Sequence, residues 1–115
     1  MLVGHGSKTR GFDKSMRRVE KMLKKGGRYF DVRCGFLEAA EPSIPRAIRE
    51  CIDRGAKEVR VLPYFVLSGK HVMSDIPRIV ADAARRHRSA KIVLRPYLGY
   101  HSKIVSVVKE RLGRV

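Results

Sequence analysis

Val59-Arg60-Val61-Leu62-Pro63-Tyr64-Phe65-Val66-Leu67-Ser68-Gly69-Lys70-His71 is a β-rich run that ends irregularly at Pro63 and empties into a short glycine-containing loop. Ser74 then stands where a helix cap is expected, with Asp75 in the first turn and Pro77 near the start. Ile76, Ile79, Val80, Ala83, Ala84 and His87 follow at helical spacing as a buried stripe. Residues 59–87 therefore spell strand, loop, helix. The same sentence recurs on both sides. Upstream, Met1 to Val3 is a short apolar run closed by Gly4, and Phe12, Met16, Val19 and Leu23 recur at helical spacing until Gly26-Gly27. Next, an extended stretch covers Asp31 to Leu37; Ser43 caps a helix whose Ile44, Ala47, Ile48, Cys51 and Ile52 share one face, and Gly55 ends it. Downstream, Lys91-Ile92-Val93-Leu94 is a fourth strand, and His101 to Leu112 the last helix.

Strand–helix units repeated with short connections predict an α/β fold: residues 1–115 as a single domain, a three-layer sandwich with a four-stranded parallel sheet and helices on both faces. A flavodoxin-like strand order, 2-1-3-4, sets strands 1 and 3 side by side at the topological switch point, where ligands of such sheets bind beyond the carboxyl ends of the strands. His5, in Gly4-His5-Gly6-Ser7, follows strand 1, and His71 follows strand 3. Topology sends both imidazoles to one cleft. Met1 lies only four residues before His5, so strand 1 is expected to be short and weakly anchored at its start.

Lys and Arg number 26 against 11 Asp and Glu, a formal net charge of +15, so the surface field attracts anions. A basic nucleic-acid-binding module is the alternative this charge supports. Against it, the cations are spread over helix faces and turns, and the four Tyr and four Phe form no base-stacking motif. No apolar run approaches the roughly 18 residues of a membrane span, and residues 1–10 lack the form of a signal peptide, so a cytoplasmic location without membrane partners is expected. Cys34 and Cys51 fall on predicted buried positions and there is no CxxC, so neither a thiolate metal site nor a disulfide framework is expected. Gly6-Ser7-Lys8-Thr9 is not a P-loop, because Ser7 separates glycine from lysine and the preceding arc is missing.

What remains is a site defined by histidine. His87 and His101 read as surface residues, and the Arg85-Arg86-His87-Arg88 cluster as a solvated helix C-terminus. His5 and His71 can hold a metal, bind phosphate or move a proton; periodicity alone does not choose. Glu38 and Glu41 follow strand 2, beside strand 1, so at least one reaches the same cleft. Two imidazoles and a carboxylate suit a first-row divalent ion such as cobalt or nickel.

The ordered set Leu2-Val3-Gly4-His5-Gly6-Ser7, Phe36-Leu37-Glu38 with Glu41-Pro42-Ser43-Ile44-Pro45, Gly55-Ala56-Lys57, Leu62-Pro63-Tyr64-Phe65, and Gly69-Lys70-His71-Val72 with Asp75-Ile76-Pro77 resembles the small, archaeal-type sirohydrochlorin chelatases of class II. The likeness spans residues 2–80, with an echo at Pro96 to Gly99. It implies ATP-independent insertion of Co²⁺ or Ni²⁺, as substrate metal and with no permanently bound cofactor, into the anionic tetrapyrrole sirohydrochlorin, on a cobalamin-type or nickel-tetrapyrrole route. It further implies His5 and His71 as metal ligands, His5 as proton acceptor, and Glu41 with Val66, Leu67, Ser68, Gly69, Lys70 and His71 as substrate contacts. Small members work as homodimers. This chain has no His-rich insertion, so its metal is expected from solution or a partner. Lys8, Arg10 and Lys70 are expected to flank the macrocycle and pair with its carboxylates.

Overall fold

The computed structural model describes residues 1–114, so Val115 lies outside the described residues. The elements run β1 (Leu2–Gly4), α1 (Lys14–Lys25), β2 (Cys34–Phe36), α2 (Ile44–Asp53), β3 (Glu58–Pro63), a π-helical turn (His71–Asp75), α3 (Ile76–Arg86), β4 (Lys91–Leu94) and α4 (Ser102–Leu112). The four strands form one sheet in the order β2-β1-β3-β4, every pair parallel. Expected order and direction both hold.

Period-two alternation splits β3 between the faces. Val59, Val61 and Pro63 are buried, whereas Glu58 and Arg60 are exposed. Val59 and Val61 join Val3, Ile44, Ile48, Ile76, Val80 and Ala83 in a core between the sheet and α2 and α3. On the other face, Leu2, Met16, Cys34 and Phe36 pack under α1 with Phe12, Val19, Leu23 and Leu62. α1, α2 and α3 each turn an apolar stripe inward because both faces of the sheet need a cover.

Several local expectations hold for their stated reasons. Ser43 caps α2, its hydroxyl accepting from the Arg46 amide at 3.3 Å, a bond worth about 1 kcal/mol. Gly55 ends that helix with φ +105°. Three expectations need correction. β1 is well anchored despite its length: Leu2 and Val3 are buried, the Met1 nitrogen donates to the Arg60 carbonyl at 2.7 Å, and the Leu62 amide donates to the Met1 carbonyl at 2.8 Å. Ser74 caps nothing, because the helical path has already begun in the His71–Asp75 turn and runs on into α3. Ala84 and His87 are not in the buried stripe: Ala84 is exposed, and His87 terminates α3 with φ −119° and stays half-exposed.

α4 is the anomaly. Its Nδ1-capped start at His101 is well formed, the imidazole accepting from the Lys103 amide at 3.0 Å. Yet none of its residues is buried.

Candidate metal centre

The loops after β1 and β2 continue the strand pairing beyond the sheet. The Leu37 amide donates to the Gly4 carbonyl and the Glu38 amide to the His5 carbonyl, both at 3.0 Å. That second bond sets Glu38 beside His5. Gly6 makes the approach possible: its φ is +103°, and a Cβ there would lie 1.7 Å from the Glu38 carbonyl oxygen. Next to Glu38, Ala39 takes a positive φ of 59°, a strained conformation of the kind that concentrates at functional loops.

His71 arrives from the other side of the switch point. The Tyr64 amide donates to the Val3 carbonyl at 2.8 Å, so the end of β3 stays locked to β1 before the loop departs. The Met73 amide then donates to the Gly69 carbonyl at 2.8 Å, and the Ile76 amide reaches back to the His71 carbonyl in a π-type turn. Such single wide turns recur at functional sites because they re-aim a side chain within a helix. Here the turn puts the Asp75 carboxylate 2.8 Å from His71 Nδ1.

The outcome is a compact trio. The His5 and His71 rings lie 4.6 Å apart between centroids at 64°. His5 Nε2 is 2.9 Å from a Glu38 carboxylate oxygen, and donor atoms of His5, Glu38 and His71 all lie within 4.8 Å of one another. Because Asp75 accepts the Nδ1 proton of His71, Nε2 carries that ring's free lone pair. His5 lacks that constraint and meets Glu38 through Nε2. The two imidazoles are therefore chemically unequal. One nitrogen from each histidine and one carboxylate oxygen form a donor set suited to a first-row divalent ion, with no soft thiolate to hold it tightly.

The trio is open to solvent, with side chains 44%, 60% and 45% exposed for His5, Glu38 and His71, while Asp75 is only 18% exposed. On either side of His71 along the chain, Val66, Leu67 and Met73 stand out at 53%, 80% and 66% exposure. Ser68, Gly69 and Lys70 are also exposed, and nothing lies within 4 Å of where a Gly69 Cβ would sit. An apolar ledge next to a metal-ligating cluster fits a flat macrocycle with an apolar face. Lys8 and Arg10 are exposed on the loop after β1.

Sequence reasoning brought His5 and His71 together but left the choice between Glu38 and Glu41 open, then favoured Glu41. The structure puts Glu38 in the trio. Glu41 is 78% exposed with its carboxylate 3.7 Å from Arg46 on α2, outside the cluster. Asp75 was seen only as a first-turn acid. The signal that could have found it is the i, i+4 spacing from His71, which aligns two side chains on any helical path.

The chain matches known proteins along its whole length. The family model CbiX matches residues 1–115. The chain is 36% identical over 97% of its length to a chloroplastic sirohydrochlorin ferrochelatase of Arabidopsis thaliana, covering 50% of that protein. It is 32% identical over 96% of its length to a sirohydrochlorin cobaltochelatase of Sulfolobus acidocaldarius, covering 86% of it. A crystal structure of the sirohydrochlorin chelatase SirB from Bacillus subtilis in complex with cobalt superposes with a TM-score of 0.88 at 29% identity, over 96% of this chain and 47% of that one. The chain thus spans about half the length of some relatives and most of others.

Proposed function

Since the chain belongs to the CbiX family, we propose that it inserts Co²⁺ or Ni²⁺ into sirohydrochlorin without ATP, on a route to a cobalamin-type or nickel-tetrapyrrole cofactor. The observation that carries this reading is the His5–Glu38–His71 trio at the edge between β1 and β3. Relatives bearing ferrochelatase names make Fe²⁺ the competing metal in the same assay.

Metallation of a tetrapyrrole removes two pyrrole N–H protons while the ion sheds water and changes ligands. The reaction needs neutral donors that can let go, and a base that works near neutral pH. His71, held by Asp75, presents Nε2 as a fixed donor. His5 serves as second donor and as proton acceptor, and Glu38, 2.9 Å away, stabilises the imidazolium and offers the proton an exit. Imidazole and carboxylate bind Co²⁺ and Ni²⁺ without the grip of thiolate, so the ion can transfer to the four macrocycle nitrogens.

Substrate contacts are assigned to Val66, Leu67, Ser68, Gly69, Lys70 and His71, whose exposed apolar ledge and flat backbone suit the ring face. Glu41 is a further substrate contact at the far end of the 38–42 loop. The carboxylates around sirohydrochlorin are drawn by the +15 field and pair with Lys8, Arg10 and Lys70. The reading includes a homodimer and a cytoplasmic setting, where the free thiols of Cys34 and Cys51 stay reduced. Among the described residues no helix is long and apolar enough to cross a membrane.

The test is anaerobic insertion of Co²⁺, Ni²⁺ or Fe²⁺ into sirohydrochlorin followed by absorbance. His5→Ala and His71→Ala should each slow insertion at least about a hundredfold. Wild-type rates in both variants would overturn the mechanism.

A further inference from the structure

Glu38 rides on the 38–42 loop, which few bonds hold in place. The loop is closed at its base, where the Phe36 amide donates to the Pro42 carbonyl at 2.9 Å, and at its first residue, where the Glu38 amide reaches the His5 carbonyl at 3.0 Å. Between those points the chain is thinly held. Ala39 keeps its positive φ of 59°, Glu38, Ala39 and Glu41 are exposed, and Ala40 leans on the core beneath α1. Among the described residues, the backbone of residues 39–41 makes one hydrogen bond, and its donor is a side chain: Arg17 Nη2 reaches the Glu41 carbonyl at 3.4 Å.

Arg17 is itself fixed on three sides. Its Nε donates to Asp13 at 3.1 Å, its Nη1 donates to Glu20 at 3.4 Å, and the guanidinium lies over the Phe36 ring, 5.4 Å from the centroid. Phe36 is 1% exposed and ends β2 two residues before Glu38. Stacked and paired, the planar fork has Nη2 left to aim at the loop, which a lysine ammonium cannot reproduce. Asp13, at the cap of α1, and Glu20 both turn to this one arginine, at i−4 and i+3. Lys14, Arg18, Lys21, Lys24 and Lys25 surround it on the same helix, and among the described residues none of them has an acidic partner. Exposed ion pairs add little to stability. What this cluster supplies is direction, because it points one N–H group at the loop that bears the carboxylate of the trio.

We propose that Arg17 is a positioning residue for metal capture. Through the Glu41 carbonyl it holds the 38–42 loop so that the Glu38 carboxylate stays 2.9 Å from His5 Nε2, with the donor atoms of the trio within 4.8 Å of one another. This role rests on the reading of His5, Glu38 and His71 as ligands of the substrate metal. Its sign separates it from charge alone. A cation near a metal site repels the ion, so removing Arg17 would tighten binding if only its field mattered. Loosening the loop weakens binding instead.

The probe is Co²⁺ alone, titrated into the full chain and followed by its visible absorption. Arg17→Met keeps an aliphatic stem over Phe36 and removes every N–H donor. It should raise the Co²⁺ dissociation constant about tenfold or more, the scale seen when the support behind a metal ligand is lost, with circular dichroism unchanged. Arg17→Gln, whose arm is too short for the loop, is a second replacement and should show the same loss. Arg18→Met removes an unpaired cation one residue away and should not weaken binding. The double variant is decisive: once Glu38→Ala has removed the ligand, adding Arg17→Met should change the dissociation constant by less than about twofold. A purely structural role predicts a lower melting temperature and the same factor of lost affinity in both backgrounds, which would overturn the proposal. So would unchanged or tighter binding in Arg17→Met, or an equal loss in Arg18→Met. Wild-type affinity in Glu38→Ala would remove Glu38 from the ligand set and the positioning role with it, so the two readings fail on different variants.

Discussion

Gly6→Ala tests the link between backbone and site. The residue holds φ +103°, where an L side chain pays about 1–2 kcal/mol. Its new Cβ would lie 1.7 Å from the Glu38 carbonyl oxygen, so in a close-packed loop the two segments must part by about 1.3 Å. That displacement breaks the 3.0 Å bond from the Glu38 amide to the His5 carbonyl, about 1 kcal/mol more. Together the loss is about 2–3 kcal/mol, a fall of roughly 8–15 °C in Tm for a domain of this size. The trio loses more than the fold does, since Glu38 moves away from His5 and a misplacement near 1 Å costs on the order of a hundredfold in rate. Calorimetry and Co²⁺ insertion measure the two effects. Gly27→Ala is the control: φ is +69° and nothing lies within 4 Å of its Cβ, so it should cost about 1 kcal/mol and leave kcat unchanged. If Gly6→Ala retained wild-type insertion, the loop contact would not be what builds the site.

Asp75→Asn frees the His71 tautomer while preserving shape, and should weaken metal use by about 10–100-fold. The loss should appear in KM for the metal rather than in the melting temperature, and an unchanged KM would remove Asp75 from the site. Burial pushes the Cys34 thiol up to about 12, reinforced by Glu20. Its unfolded pKa is near 9, so the stabilisation is complete below pH 9 and is lost as pH rises toward 12. Urea unfolding between pH 9 and 10 should therefore show a steeper loss in wild type than in Cys34→Ala, by at most about 1.4 kcal/mol per pH unit. Equal slopes would mean that the thiol ionises as freely in the fold as out of it.

The parts of the fold that were legible are those governed by local periodicity. β3 and α2 announce themselves because alternation and the i, i+3, i+4 stripe each reflect one buried face, and Ser43 caps where a capping residue stands before that stripe. Strand order followed from handed crossovers, which is why His5 and His71 could be paired without coordinates. Ser74 misled because a cap signature carries no information about a helical turn already under way; the π turn depends on how His71 and Asp75 meet. Glu38 and Glu41 were indistinguishable by spacing, since both follow β2. What separates them is the Glu38 amide bond to His5 and the missing Cβ of Gly6, contacts between segments more than thirty residues apart.

α4 shows a different limit. Its stripe Ile104, Val105, Val108 and Leu112 marks a face that must be covered but does not say by which molecule. Sequence periodicity is identical whether a helix packs on its own sheet or on another copy's. In the folded chain no α4 residue is buried and none lines the groove beside β3. The trio of His5, Glu38 and His71 is formed wholly within one chain at the carboxyl edge. Disrupting a contact made by α4 should therefore leave the ligand geometry intact. A Val108→Glu variant, altered on the exposed apolar face of α4, should still bind Co²⁺, measured by the ion's visible absorption, with affinity within a few-fold of wild type. Loss of binding in that variant would mean that the second copy shapes the histidine loops.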